Sequence, residues 1–146
     1  MKKKVARNNT NGFTLVELLI VMVIIGLLAA LVGPKFFGKV GKSRQKAAKA
    51  QITLFETALD TYRLDVGKYP TTEEGLRALR IKPEGLEKWD GPYLPKDIPM
   101  DPWGNAYVYR SPGEHGEFDI LSKGADGTLG GNDENMDIVS WTDIGK

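Results

Sequence analysis

Residues 13–33 read FTLVELLIVMVIIGLLAALVG, and this stretch decides the architecture of the chain. No polar side chain interrupts it between Leu18 and Val32. Its length is close to the ~20 residues that a helix needs to cross a bilayer. The alternative is a secretory signal peptide, whose apolar core is usually about 7–15 residues long and is followed by a small-residue cleavage site. This stretch is longer and no such site follows it cleanly, so the sequence predicts a membrane-spanning helix.

The remainder of the 146-residue chain is long enough for one modest globular domain. The absence of cysteine excludes disulfides, zinc–thiolate sites and thiol nucleophiles. Charge is uneven along the chain, because basic residues dominate residues 1–12 and acidic residues dominate residues 114–146. The acidic end disfavours nucleic acid as a partner and favours cations.

Glu17 is the one charged residue of the apolar stretch. A carboxylate in a membrane helix costs about 2.5–3.5 kcal/mol on insertion scales, so it is usually paired or functional. One interpretation places Glu17 near the lipid headgroups, where its side chain snorkels. The other requires a cut between Gly12 and Phe13, which creates an ammonium group four residues from Glu17. Each charge would then favour burial of the other.

The sequence GFTLVE at residues 12–17, followed by the apolar stretch, resembles the class III signal of type IV pilin-like proteins. The resemblance implies that a prepilin peptidase cuts after Gly12 and methylates the new amine of Phe13. It also implies that Glu17 pairs with the amine of a neighbouring subunit during assembly.

The resemblance divides the chain into a cleaved leader (1–12), a transmembrane and assembly helix (13–34) and a periplasmic head (35–146). Charge alone does not give the orientation, because basic residues also follow the apolar stretch and the positive-inside rule then favours the opposite topology. The resemblance implies a single-pass inner-membrane protein with a cytoplasmic N-terminus and a periplasmic head. When assembled, the protein would be a periplasmic filament.

Gly33-Pro34 is predicted to break or loosen the helix, since proline lacks a backbone donor and clashes with the preceding turn. An amphipathic helix is then predicted over residues 42–66, ended by Gly67. Its apolar face follows a 4-3-4-3-4 spacing: Ala48, Ile52, Phe55, Leu59, Tyr62 and Val66. The opposite face is polar: Lys46, Lys49, Gln51, Glu56, Asp60 and Arg63. Most of the basic residues that follow the apolar stretch, Lys46 and Lys49 among them, are interpreted as solvated helix surface, with contact to anionic lipid headgroups or to a neighbouring subunit as the alternative.

The head beyond this helix is predicted to be α+β. The threonine-to-glutamate spacing in residues 71–74 predicts a capping box and a short helix from Thr72 to about Arg80. Residues 81–105 are rich in proline and predict an irregular loop whose Trp89 and Trp103 cover the core.

Two strands at residues 106–110 and 117–121 are predicted to be joined by a turn, with a third strand near residues 137–141. The predicted fold class is therefore α+β. A long N-terminal helix, first transmembrane and then amphipathic, packs on a small antiparallel sheet.

Residues 122–137 read SKGADGTLGGNDENMD and form an acidic, glycine-rich loop. Glycines allow tight turns that bring carbonyls inward, and the side chains supply hard oxygen ligands of the kind that calcium prefers. The spacing is not that of an EF-hand, and a single GGND copy does not make a calcium-binding β-roll. On the residues alone, a solvated turn and a calcium site both remain open.

Five further segments resemble the major pseudopilins of type II secretion systems: Tyr69-Pro70-Thr71, Glu74-Gly75-Leu76, Asp101-Pro102-Trp103-Gly104, Gly124-Ala125-Asp126-Gly127, and Asp137-Ile138 with Trp141. The resemblance implies a pilin-like fold with Ca²⁺ in the loop of residues 122–137. The implied ligands are the carboxylates of Asp126 and Asp133, the backbone carbonyls of Lys123 and Leu129, and Asn135.

The function that the resemblance implies is that of a major structural subunit of a periplasmic pseudopilus, which drives export of folded proteins across the outer membrane. The implied partners are further copies of the chain, minor pseudopilins, the prepilin peptidase, an inner-membrane assembly platform, an outer-membrane secretin and, before assembly, the lipid bilayer. A separate cytoplasmic ATPase would supply the energy, because no phosphate-binding loop is present.

Three other functions are weighed against this one. A type IV pilin for adhesion or motility shares the leader and the helix, but its head usually carries a disulfide-closed loop. A membrane-anchored calcium-binding domain would need no cut after Gly12. An enzyme is not predicted, because the single histidine, His115, lies in a turn and no catalytic motif is present.

Overall fold

The computed structural model describes residues 12–144, without the side chains of residues 34–37, so the leader residues 1–11 lie outside the description. The chain divides into two compact units, Met1–Gly38 and Lys39–Lys146. One helix, α1, is assigned from Leu15 to Val66 and belongs to both units.

The first unit holds the apolar part of α1. Within the described residues, α1 is the one helix long and apolar enough to cross a membrane by length and composition. The mean hydropathy of its most apolar 18-residue window is 3.0, and none of that window is buried. The predicted apolar helix is therefore present, with its side chains exposed.

The helix does not end at Pro34. Helical structure is assigned on both sides of this residue and through it, so the helix is not interrupted there, and a loosened helix at Pro34 stays a prediction. The physical reason is that proline lacks a single N–H, which removes one i→i−4 hydrogen bond and leaves the donors of the neighbouring residues in place.

In the second unit, the later part of α1 supplies one wall of the core. The predicted apolar face is confirmed, since Ile52, Phe55, Leu59 and Tyr62 are completely buried. The helix stops where glycine was expected to stop it. Gly67 has a φ of 89° and its N–H donates to the carbonyl of Arg63 at 2.8 Å.

The capping box after α1 forms, and the short helix predicted behind it is confirmed in part, since it begins later and is shorter than expected. The N–H of Thr71 donates to Oε2 of Glu74 at 2.8 Å, and the N–H of Glu74 donates to Oγ1 of Thr71 at 3.2 Å. A four-residue 3₁₀ helix, Leu76–Leu79, follows turns rather than an α-helix. Gly75, with φ 61° and ψ −171°, takes a non-helical conformation directly behind the box.

Three short strands form an antiparallel sheet in the order β1-β2-β3: β1 is Val108–Arg110, β2 is Asp119–Ser122 and β3 is Ile138–Val139. All three lie within or beside the predicted strands. The register pairs Tyr109 with Ile120 and Ser122 with Ile138. Their buried side chains join those of α1 in a single hydrophobic cluster, as the predicted α+β fold requires.

The proline-rich loop covers this cluster. Trp89 and Trp103 are partly buried against it, as predicted. The indole of Trp89 also donates to the carbonyl of Ala78 at 2.8 Å, which fastens the loop to the 3₁₀ helix.

Candidate assembly helix and C-terminal loop

The first turn of α1 is built around Thr14 and Glu17. The N–H and the hydroxyl of Thr14 donate to Oε2 of Glu17 at 2.9 and 3.0 Å, and the N–H of Glu17 donates to Oγ1 of Thr14 at 3.2 Å. This reciprocal pair is a capping box, in which two otherwise unpaired N–H groups at the helix start gain acceptors. The T-x-x-E spacing of Thr14 and Glu17 is typical of a capping box, but we did not predict this box from the sequence.

The surface behind this cap is apolar and exposed. Phe13, which precedes the helix, is 82% exposed, and the large apolar side chains from Leu15 to Val32 are exposed as well. Contiguous apolar surface of this kind is rare on soluble monomers and marks contact with a membrane or with other proteins. Gly12, Phe13 and Glu17 thus lie together at one end of such a surface.

The C-terminal loop, residues 122–137, closes on itself through its backbone. The N–H of Ala125 donates to the carbonyl of Glu134 at 2.9 Å. Gly124 and Gly131 have φ values of 63° and 99°, and a Cβ added at either would come within 2.8 and 2.6 Å of the backbone of Asn135. Only glycine allows this approach, which brings the first half of the loop, with Lys123 and Asp126, close to the second half, with Asp133 and Asn135. We call these two halves the first and second limbs of the loop.

Three aspartates of this loop differ in their surroundings. Oδ1 of Asp126 accepts from the N–H of Thr128 at 3.0 Å, which leaves the other carboxylate oxygen available. Asp133 has a φ of 52°, a left-handed conformation uncommon for a residue other than glycine. Oδ2 of Asp137 accepts from the N–H of Gly130 at 2.9 Å, while its buried Oδ1 has no hydrogen-bond partner among the described residues. A buried, unpaired carboxylate oxygen in an acidic loop is what a bound cation would compensate.

Among residues 12–144, no three aspartate, glutamate or histidine side chains converge to form a metal cage by themselves. A calcium ion at this loop would therefore depend on backbone carbonyls as well as on Asp126 and Asp133. Calcium accepts such mixed oxygen ligands. The backbone carbonyls of Lys123 and Leu129, together with Asn135, therefore stay predicted calcium ligands.

The first limb of the loop is fastened to a buried carboxylate. Asp101 accepts from the hydroxyl of Ser122 at 2.6 Å and from the N–H groups of Trp103 and Asn105 at 3.0 and 2.8 Å. The amide of Asn105 in turn donates to the carbonyl of Gly124 at 3.0 Å. The loop is thus held in place at its beginning by hydrogen bonds that need no metal.

The second limb of the loop and the segment that follows it lie against Gly41, Gln45 and Lys49 of α1, which we call the docking stripe. The residues are four apart and so share one line along the helix. The amide of Gln45 donates to the carbonyl of Asp133. Lys49 donates to the carbonyls of Val139, Ser140 and Thr142 at 2.7, 3.1 and 2.8 Å. Lys49 is thus an exception to the solvated surface expected for most of these basic residues, and no local pattern reveals it because the carbonyls lie about 90 residues away in sequence.

His115 contacts one carboxylate and one aromatic ring of the head. Its Nδ1 lies 3.0 Å from Oδ2 of Asp119, and its ring stacks on Trp141 with centroids 3.9 Å apart. Burial by itself raises the pKa of Asp119, but hydrogen bonds from the imidazole of His115 and from the N–H groups of Glu114 and His115 lower that pKa below its ordinary value of 3.8. The pair holds the β1–β2 turn against the C-terminal segment.

A capped and exposed apolar helix that continues into a small α+β head defines a membrane-anchored, pilin-like subunit. The particular family follows from comparison with known proteins. The chain belongs to the type II secretion system protein G family, whose family model matches residues 35–141. The prokaryotic N-terminal methylation motif matches residues 7–33, which include Gly12, Phe13 and Glu17.

Named relatives agree with this assignment. The chain is 44% identical over 138 residues to the type II secretion system core protein G of Pseudomonas aeruginosa, covering 92% of this chain and 97% of that one. It is 46% identical over 133 residues to the core protein G of Vibrio cholerae, covering 89% and 90%. The crystal structure of the major pseudopilin from the type 2 secretion system of enterohaemorrhagic Escherichia coli matches with a TM-score of 0.60 and 38% identity, over 72% of this chain and 92% of that one.

These findings confirm the pseudopilin family and the pilin-like fold predicted from the sequence. The family is one of structural subunits, and the chain is a part of a pseudopilus assembly. The methylation motif and the exposed apolar helix indicate a membrane-anchored protein that faces the periplasm.

Proposed function

We propose that this chain is the major structural subunit of a type II secretion pseudopilus, which assembles through α1 and drives export of folded proteins across the outer membrane. The observation that carries the proposal is the exposed apolar surface of α1 from Leu15 to Val32, which lies within the residues that the methylation motif matches. In a monomer, lipid would cover this surface. In a filament, the same surface of neighbouring helices would cover it.

Processing would create the charge that assembly uses. A prepilin peptidase cuts after Gly12 and methylates the amine of Phe13, and this ammonium group pairs with Glu17 of an adjacent subunit. The capping box is compatible with such a pair, because a carboxylate has about four acceptor positions and Thr14 occupies only Oε2. In surroundings of low dielectric constant, the two charges favour each other's burial.

Replacement of Glu17 tests this pairing. Glu17→Ala removes both the charge and the cap, whereas Glu17→Gln keeps an oxygen that can accept from Thr14 and removes only the charge. We expect both variants to be cleaved after Gly12 and neither to form filaments, as measured by mass spectrometry of the membrane fraction and by electron microscopy of sheared pseudopili. Filaments from Glu17→Gln at the wild-type yield would mean that Glu17 acts as a helix cap and that the ion pair is not required.

The C-terminal loop is proposed to bind Ca²⁺. Its ligands would be the carboxylates of Asp126 and Asp133, the backbone carbonyls of Lys123 and Leu129, and Asn135. The closed loop backbone and the unpaired Oδ1 of Asp137 support this proposal. The ion would supply positive charge that compensates the acidic loop and links its two limbs. Because it binds the folded loop alone, it would stabilise the head.

Thermal unfolding of the full chain in detergent, with calcium and with a chelator, tests the site. A free calcium concentration 100 times the Kd is expected to add about 2.7 kcal/mol to the free energy of unfolding and to raise the Tm accordingly. Asp126→Ala should abolish the difference between the two conditions. Glu84→Ala, which removes an exposed carboxylate elsewhere in the head, should retain it. Equal Tm values for the wild-type chain with and without calcium would remove the site from the account.

The remaining partners belong to the same proposal. Minor pseudopilins, the inner-membrane assembly platform and the outer-membrane secretin would contact the growing filament, and a separate cytoplasmic ATPase would supply the energy. The chain would cross the inner membrane once, with residues 1–12 in the cytoplasm and the head in the periplasm. Family membership and the apolar helix support this topology, whereas the charge distribution alone does not give it.

A further inference from the structure

The docking stripe is the part of α1 against which the second limb of the loop lies. Gln45 is only 7% exposed, so its hydrogen bond to the carbonyl of Asp133 lies out of contact with water for the most part. Glu134, the next residue of the loop, lies against Gly41. The backbone of Asp133 and the side chain of Glu134 therefore rest on two successive turns of α1.

We propose that Gly41 and Gln45 are positioning residues of the calcium loop, and that calcium in the loop orders the turns of α1 on which the loop rests. The inference builds on the proposed calcium site. Because coupling between two equilibria is reciprocal, a helix that positions the Asp133 limb for the ion is itself stabilised when the ion binds. The ion concentration outside the inner membrane would thereby act on the helix that the filament uses.

Gly41 positions the loop by its lack of a side chain. A Cβ added there would come within 2.5 Å of Oε1 and 2.6 Å of Cγ of Glu134, so the glutamate has to leave its place. Gly38, one turn earlier, provides the matched control, because a Cβ added there meets no described atom within 4 Å. Alanine is the better helix former at both sites, so helix propensity alone predicts the same gain from both substitutions.

Gln45 positions the loop by a directed hydrogen bond. Gln45→Leu keeps the approximate size of the side chain but leaves the carbonyl of Asp133 without its donor. Gln51→Leu is the control, because it removes the same group from the same helix where it lines a surface groove with Leu94 and Pro95.

The test measures calcium affinity by titration of the full chain in detergent, at a temperature where circular dichroism shows every variant to be folded. Gln45→Leu is expected to bind calcium roughly tenfold more weakly, and Gly41→Ala several-fold more weakly. Gly38→Ala and Gln51→Leu should bind like the wild type. Gly41→Ala combined with Glu134→Ala should bind like Glu134→Ala alone, because the collision is then gone.

Hydrogen exchange provides the second readout, which a purely structural role would not change. In the wild-type chain, calcium should slow amide exchange in a peptide covering residues 41–49, and this effect should be lost in Gln45→Leu. Wild-type affinity in both Gly41→Ala and Gln45→Leu, in a chain that does bind calcium, would overturn the coupling and leave the calcium site intact. A wild-type chain that shows no calcium binding would overturn the site and the coupling together.

Discussion

At the scale of single residues, two buried tyrosines of the core differ in one hydrogen bond. The hydroxyl of Tyr109 donates to the carbonyl of Pro70 at 2.8 Å, whereas the buried hydroxyl of Tyr62 has no partner among the described residues. Burial raises the pKa of each tyrosine to about 12, so both hydroxyl groups are protonated at neutral pH. Both side chains belong to the core cluster, but only the hydroxyl of Tyr109 makes a hydrogen bond among the described residues.

Removing each hydroxyl should therefore change the free energy of unfolding by very unequal amounts. Tyr109→Phe leaves the carbonyl of Pro70 unpaired and is expected to lower the free energy of unfolding by about 1–2 kcal/mol. Tyr62→Phe removes a polar group that has no partner and is expected to leave this free energy unchanged or to raise it. Chemical denaturation of both variants measures the difference, and equal losses would contradict the hydrogen-bond assignment.

At the scale of elements, the turn between β1 and β2 is held by a carboxylate. Asp119 has an 8% exposed side chain and accepts hydrogen bonds from the backbone of Glu114 and from both the backbone and the ring of His115. Since these bonds lower its pKa in the folded chain, ionised Asp119 stabilises the fold at neutral pH. This contribution is fully present well above the ordinary pKa of 3.8 and is lost as the pH falls through the lower pKa of the folded chain.

Asp119→Asn should reduce the pH dependence of stability below pH ~5 and lower the stability at neutral pH, because the amide does not ionise. The measurement is the free energy of unfolding between pH ~6 and pH ~2. Asp97→Asn serves as the control, since the side chain of Asp97 is 95% exposed and its ion pair with Arg80 contributes little. An unchanged pH profile in Asp119→Asn would mean that this carboxylate does not stabilise the turn.

Some of these elements could be predicted from the sequence and others could not. The amphipathic face of α1 and its end at Gly67 follow from local periodicity and from one glycine, and the structure confirms both. The short helix predicted for residues 72–80 is limited to the 3₁₀ helix Leu76–Leu79, because the backbone conformation of Gly75 is not helical. The docking stripe could not be predicted, because Gln45 and Lys49 meet partners that lie 88 and about 90 residues further along the chain.

At the scale of the whole molecule, the two ends of the sequence carry different features. The N-terminal stretch carries the motif and the exposed apolar surface through which subunits would associate. The C-terminal loop closes on itself and rests on α1 through Gln45. The family and the fold were evident from motifs spread over the chain, whereas the ligand set of the loop stays a prediction, because it depends on carbonyl directions that residue types do not encode.

The mass of the chain recovered from bacterial membranes tests the central claim most directly, since assembly through an ammonium group at Phe13 requires that the leader be removed. In cells that contain a prepilin peptidase, we predict a chain that begins at Phe13 and is heavier by one methyl group. A chain that still begins at Met1 in the same cells would contradict the account, because the charge that Glu17 is proposed to meet would not exist.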